Sequence, residues 1–218
     1  MPNPPDARLL CARADRARLK GRTRRAVRLY QQALEADPDN MSIRRKLAPL
    51  HARRREFDDA WQCYQAAGDS LSARGFEAQA AGLIREAATL LPHNEAVWRH
   101  LAVLQHSLGR RADARNTLIE GRQHFKGRRN RAAAVALLAD AHAIDPDDLE
   151  LGIELARLLR KTKRPRKAQK VLHALLQRMP DERKRIRREL FWCCPTLASL
   201  EAWMRSLREP AGLQRSVR

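Results

Sequence analysis

Asp37-Pro38-Asp39-Asn40, Leu91-Pro92-His93-Asn94 and Asp145-Pro146-Asp147-Asp148 are three versions of one turn, and their prolines stand 54 residues apart, twice over. Each follows a run rich in alanine and leucine, and proline ends such a run because it lacks the N–H that a helix needs and its ring clashes with the preceding turn. Working outward from the turns, residues 40 to 92 superpose on 94 to 146. Leu47 falls on Leu101, Ala48 on Ala102, Leu50 on Leu104, Asp59 on Asp113, Ala60 on Ala114, Ala80 on Ala134, Leu83 on Leu137 and Ala87 on Ala141. Downstream, Leu155, Ala156, Leu158 and Ala168 continue the register. Upstream, Asp15, Gly21, Ala26 and Ala33 match Asp69, Gly75, Ala80 and Ala87. Self-similarity at a fixed period predicts an array in which each unit buries its apolar face against its neighbours.

Alanine, leucine and arginine dominate the chain, and no stretch shows sustained period-2 alternation of β-branched residues, so every element reads as a helix. One unit divides into helices over 40–54, 56–73 and 76–90, separated by Arg55, by Gly75 and by the proline turn. The next repeats them at 94–108, 111–126 and 129–144, and a third at 148–161, 165–179 and 181–194, with Pro165 in a first turn where its missing N–H costs nothing. Helices over 6–19 and 22–36 complete the front. The expected division is a disordered start over 1–5, the helical array over 6–194, a capping helix over 195–208 and a frayed tail over 209–218.

Small and large residues at fixed offsets resemble the tetratricopeptide repeat. Gly21, Ala26, Tyr30, Ala33 and Pro38 fall at the spacing of that motif's second helix and closing turn, and Trp98, Leu101, Ala102, Gly109 and Ala114 fit its first helix and tight turn. The family's period is about 34, whereas a full cycle here takes 54 residues and carries a third helix. The resemblance implies a right-handed α-solenoid of about eleven or twelve antiparallel helices with a C-terminal capping hairpin. It also implies a non-catalytic scaffold that holds a partner protein.

Charge suggests what kind of partner. The chain carries 44 Lys and Arg against 25 Asp and Glu, a formal charge of +19. If each helix reverses on its predecessor, the turns divide between two edges. One edge gathers Arg24, Arg25, Arg53, Arg54, Arg55, Arg128, Arg129, Arg131, Lys161, Lys163, Arg164 and Arg166, opposed only by Glu56. The other gathers Asp37, Asp39, Asp145, Asp147, Asp148, Asp181 and Glu182, diluted by Arg74, Arg110 and Arg111. A basic edge attracts acidic protein segments, and the expected partner is acidic. The alternative is contact with a nucleic-acid backbone, which has no sequence specificity because the chain lacks an aromatic RNP pair, zinc-finger spacing and a compact helix-turn-helix. The same arginines also suit solvated helix faces in a chain with only eight lysines, and the aspartates suit helix caps.

Other chemistries find little purchase. The seven histidines show no HExxH and no zinc spacing with cysteine, so no metal or cofactor is expected. Cys193-Cys194 beside Trp192 reads as apolar packing, and with no glycine-rich phosphate loop, GxSxG elbow or paired carboxylates the chain reads as no enzyme. Cys11, Cys63, Cys193 and Cys194 form no secreted disulfide pattern, and neither a signal-length apolar start nor an apolar 18-mer is present. These absences predict a cytoplasmic protein with no integral membrane contact. Trp61, Trp98, Tyr30, Tyr64 and Phe57 are expected between helices, and the basic, apolar stretch 181–207 is expected to cap the stack rather than lie on a membrane.

Overall fold

The computed structural model describes residues 6–193 and 195–208. The expected disordered start over 1–5 and tail over 209–218 lie outside the described residues. Twelve α-helices and one short 3-10 turn account for the ordered elements among them, and no strand occurs there. The chain divides into two compact units at Arg110 and Arg111.

The first unit holds α1 (Ala7–Leu19), α2 (Thr23–Ala36), α3 (Met41–Arg53), α4 (Phe57–Ala73), α5 (Glu77–Leu90) and α6 (Glu95–Ser107). The second holds α7 (Arg111–Gln123), α8 (Arg131–Ile144), α9 (Leu149–Lys161), α10 (Pro165–Arg178), a 3-10 turn (Pro180–Glu182), α11 (Arg183–Cys193) and α12 (Leu197–Arg208). From α1 to α3 and from α2 to α4 the helix starts are 34 residues apart, the tetratricopeptide period. Starts at Met41, Glu95 and Leu149, and at Phe57, Arg111 and Pro165, are 54 apart.

Two kinds of local hydrogen bonding set these boundaries. The last residue of each proline turn caps the following helix. The side chain of Asn40 accepts from the Ile43 N–H (3.2 Å), that of Asn94 from the Ala96 N–H (3.0 Å) and that of Asp148 from the Leu151 N–H (2.9 Å). Other helix ends close with a left-handed residue and a bond spanning five residues, the Schellman geometry. Arg22, Glu56, Phe76, Arg110 and Arg164 donate their backbone N–H to Ala17, His51, Leu71, Gln105 and Leu159 at 2.9–3.0 Å. The residue before each donor has positive φ: Gly21, Gly75 and Gly109, but also Arg55 (63°) and Lys163 (58°).

Helices pack through small residues. Ala14, Ala26, Ala33, Ala48, Ala60, Ala80 and Ala87 in the first unit, and Ala114, Ala141 and Ala168 in the second, have no exposed surface, which lets backbones approach closely. Tyr30 and Tyr64 are fully enclosed at positions 34 apart, and each finds a carboxylate: Tyr30 donates to Asp15 (2.6 Å) and Tyr64 to Glu86 (2.9 Å). Burial first, and then the acceptor carboxylate, drive both phenols well above their ordinary range.

Alternate helices meet as well as consecutive ones. In the first unit Lys46 on α3 reaches Asp15 on α1 (2.8 Å), α3 touches α5, and His100 on α6 lies edge-on to Trp61 of α4. In the second unit, Arg122 of α7 pairs with Glu154 of α9, and Arg185 of α11 pairs with Glu150 of α9. Each unit is therefore a two-layer stack of reversing helices, built in the manner of a helical solenoid.

Three expectations need correction. Helix 111–126 stops at Gln123, because His124 and Phe125 tighten into three-residue bonds to Gly121 and Arg122 and Phe125 turns inward to be buried. Helix 181–194 opens as a 3-10 turn over Pro180–Glu182, in which the Glu182 N–H donates to the Met179 carbonyl three residues back, before α11 begins at Arg183. Phe57 is not core: its ring stays 49% exposed, because it opens α4 at the end of the stack rather than in a layer between helices.

Candidate functional site

The reversing path brings the basic turns of each unit to one end of that unit. In the first, Phe57 beside the α3–α4 turn and residues 90–95 of the α5–α6 turn line one cavity, so these two turns share an end. Of the predicted residues there, Arg24 and Arg25 lie in the first turn of α2, and Arg53, Arg54 and Arg55 lie at the exit of α3. All five are exposed. Glu56 does not neutralise them as a group: its carboxylate takes the buried His51 (2.6 Å) on one side and Arg54 (2.8 Å) on the other.

In the second unit α7, α9 and α11 run in the same direction. Arg115 near the start of α7 reaches Asp148 at the start of α9, and Arg160 near the end of α9 donates to the Trp192 carbonyl near the end of α11 (3.1 Å). The segments after α7 and α9 therefore lie at the same end. Arg128 and Arg129 are exposed there, Arg131 is half-buried in the first turn of α8, and Lys161, Lys163, Arg164 and Arg166 are exposed around the α9–α10 turn. Of the twelve predicted cations, Arg54 alone has an ion-pair partner among the described residues.

At the opposite end of the second unit three of the expected acids are paired. Arg115 holds Asp145 (3.2 Å) and Asp148, Arg178 approaches Asp147 (3.8 Å), and Arg111 donates to the Ile144 carbonyl (3.0 Å). Burial alone would raise the Asp148 carboxyl, but the Leu151 N–H and the Arg115 guanidinium outweigh it and keep its pKa below the ordinary range. Asp148 is a cap and all three are ion-pair partners, as their turn positions suggested, while Asp39, Asp181 and Glu182 stay exposed.

Two groupings have no signal in the one-dimensional pattern. His51, Glu56 and Asp59 place one ligand-type atom each within 4.8 Å of one another, a cluster that becomes visible only when the α3–α4 turn folds the end of one helix onto the start of the next. Its inner pair is already a short hydrogen bond that Arg54 completes, so the turn's own closure accounts for it. The second is a groove between α9 and α11 of about 530 Å³, lined by Arg157, Arg160, Arg188, Glu189 and Trp192. Arg157 grips the buried Glu189 with two bonds (2.6 and 3.1 Å), which hold that carboxyl's pKa below its usual range.

A family model agrees with this architecture over part of the chain. Residues 125–188 match the family model of the tetratricopeptide repeat. No curated protein matches the chain. Solved structures similar to it include MamA, at 15% identity over 89% of this chain and 92% of that one (TM-score 0.34). Another is YrrB, described as a tetratricopeptide protein with an unusual peptide-binding site, at 14% identity over 93% and 83% (TM-score 0.32). PilF of Pseudomonas aeruginosa matches at 16% over 91% and 87% (TM-score 0.30).

Proposed function

We propose that this chain, a tetratricopeptide-like helical repeat protein, is a non-catalytic scaffold that captures an acidic segment of a partner protein on the basic turns at one end of each unit. Tetratricopeptide arrays serve in general as protein-interaction scaffolds, and residues 125–188 carry that match. The observation that favours an acidic partner is the difference between the two ends of the second unit. Arg115 and Arg122 of α7 and Arg157 of α9 are satisfied by carboxylates, whereas eleven of the twelve rim cations have no ion pair among the described residues. Like charges gathered at one end without ion pairs repel one another, and an acidic ligand relieves that repulsion while gaining its own ion pairs. Among the described residues no helix is long and apolar enough to cross a membrane.

The test is capture of a fluorescent acidic peptide by wild type and by the triple reversal Arg53→Glu, Arg54→Glu, Arg55→Glu. Capture should weaken at least tenfold, with helix content by circular dichroism unchanged, and should decline as salt rises. Equal capture by both proteins removes the rim from the binding surface. A gel shift with duplex DNA, single-stranded DNA and RNA is run at the same low salt. Tight complexes with all three, and none with the peptide, would replace the acidic protein by a nucleic-acid backbone.

A further inference from the structure

We propose that the groove between α9 and α11 is a specificity pocket for the acidic partner segment, seating one carboxylate on Arg160 and Arg188 and an adjacent apolar or aromatic side chain on Trp192. This inference rests on the acidic-partner reading and adds which sequence feature of the partner is read. The groove has the means for both halves of such a ligand. Arg157 spends its Nε and one Nη on Glu189, and Arg160 spends one Nη on the Trp192 carbonyl, so Arg160 still has donors to give. Arg188 stands 3.8 Å from Glu189, with nearly half its side chain exposed. Three guanidiniums against one carboxylate leave the groove with two uncompensated positive charges.

Trp192 supplies the other half. It is 57% exposed, although its neighbour Phe191 stacks on Trp203 of α12 at 5.6 Å and is half-buried. A tryptophan left half in water beside arginines offers a flat apolar platform next to an anion seat, the combination that anchors hot spots in protein recognition. The groove lies at the C-terminal ends of α9 and α11, one residue from Lys161 and close to Lys163 and Arg164, so a segment held by the rim can reach it.

A nucleic-acid backbone suits this place less well. Single-strand binders present a continuous basic track, but toward its N-terminus the same face of α9 carries Glu154 and Glu150, paired with Arg122 and Arg185. The positive field is local, and it matches one carboxylate with an apolar neighbour better than a run of phosphates.

The experiment uses the full chain and two fluorescein-labelled dodecapeptides of equal charge, one interspersing phenylalanine among glutamates and the other serine, read by anisotropy. The phenylalanine peptide is expected to bind at least tenfold more tightly. Trp192→Ala should abolish that preference, Trp192→Phe should keep most of it, and Arg188→Gln should weaken the phenylalanine peptide severalfold more than the serine peptide. Because these side chains are exposed, circular dichroism should not change. The groove is refuted, with the rim reading intact, if both peptides bind equally, or if Trp192→Ala keeps the preference while Lys161→Glu, Lys163→Glu, Arg164→Glu abolishes binding. If neither peptide binds wild type, the rim reading and the groove fall together. An oligonucleotide of the same charge that binds more tightly than the phenylalanine peptide, in a manner dependent on Trp192, would also overturn the assignment.

Discussion

Replacing Arg55 by glycine should make the protein more stable and a weaker binder at once. Arg55 occupies the left-handed position of the α3–α4 turn with φ of 63°, where the corresponding positions of three other helix ends hold glycine. That conformation costs an L-residue about 1–2 kcal/mol through the clash of Cβ with the following carbonyl. Glycine escapes the clash but gives back roughly 0.5–1 kcal/mol through the greater freedom of its unfolded chain. The difference is a gain of about 0.5–1 kcal/mol, which corresponds to a rise of roughly 1–4 °C in melting midpoint for a chain of this size. The Arg55 side chain is exposed and has no ion pair among the described residues, so its removal subtracts little from the folded state. Lys163, with φ of 58° in the α9–α10 turn of the other unit, should behave alike. The reverse control is Gly75→Ala: its φ is 81° and an added Cβ would meet nothing within 4 Å, so the loss of about 1 kcal/mol comes from backbone strain alone. In the acidic-peptide assay, Arg55→Gly and Lys163→Gly together should weaken capture about two- to fivefold, the scale of exposed ion pairs. Thermal melts and anisotropy titrations on the same samples read both effects. A lowered midpoint for Arg55→Gly would refute the strain argument, and undiminished capture by the double variant would refute the idea that these cations are kept for binding.

Two further outcomes follow from the caps and the half-buried histidines. Asp148→Ala removes the acceptor for the Leu151 N–H and the partner of Arg115, and should cost about 1–2 kcal/mol by urea denaturation; a loss within a few tenths would mean that the turn holds without its cap. Burial depresses the pKa of His100 against the pull of Asp69, and burial with Arg178 depresses that of His142 against Asp148, Asp145 and Asp147. Both bind protons more readily when unfolded, so their contribution is complete above the ordinary histidine pKa of about 6.5 and is lost as pH falls below it. The melting midpoint should therefore decline between about pH 7 and pH 5, before the carboxylates titrate, and His100→Gln with His142→Gln should flatten that decline; an unchanged slope would exclude these rings as its source.

Much of the architecture was legible in one dimension because it depends on hydrogen bonds between residues two to five apart. Asn40, Asn94 and Asp148 cap their helices from the positions where the proline turns put them, and the left-handed glycines end helices where the pattern places them. The rim cations were legible too, as charged residues in turns between helices. Phe57 was not legible, since its apolar character says core while its place at the mouth of a helix end leaves it half in water.

What the sequence by itself determined is the succession of helices and the ends at which they reverse, because caps, left-handed turns and proline stops are short-range chemistry. Tertiary structure alone decided which charges are neutralised and which remain open. Arg157 and Glu189, or Arg115 and Asp148, lie 32 and 33 residues apart and meet only when alternate helices pack side by side. The groove holding Trp192 arises in the same way, from the spacing of two packed helices, and no local pattern in either helix encodes it.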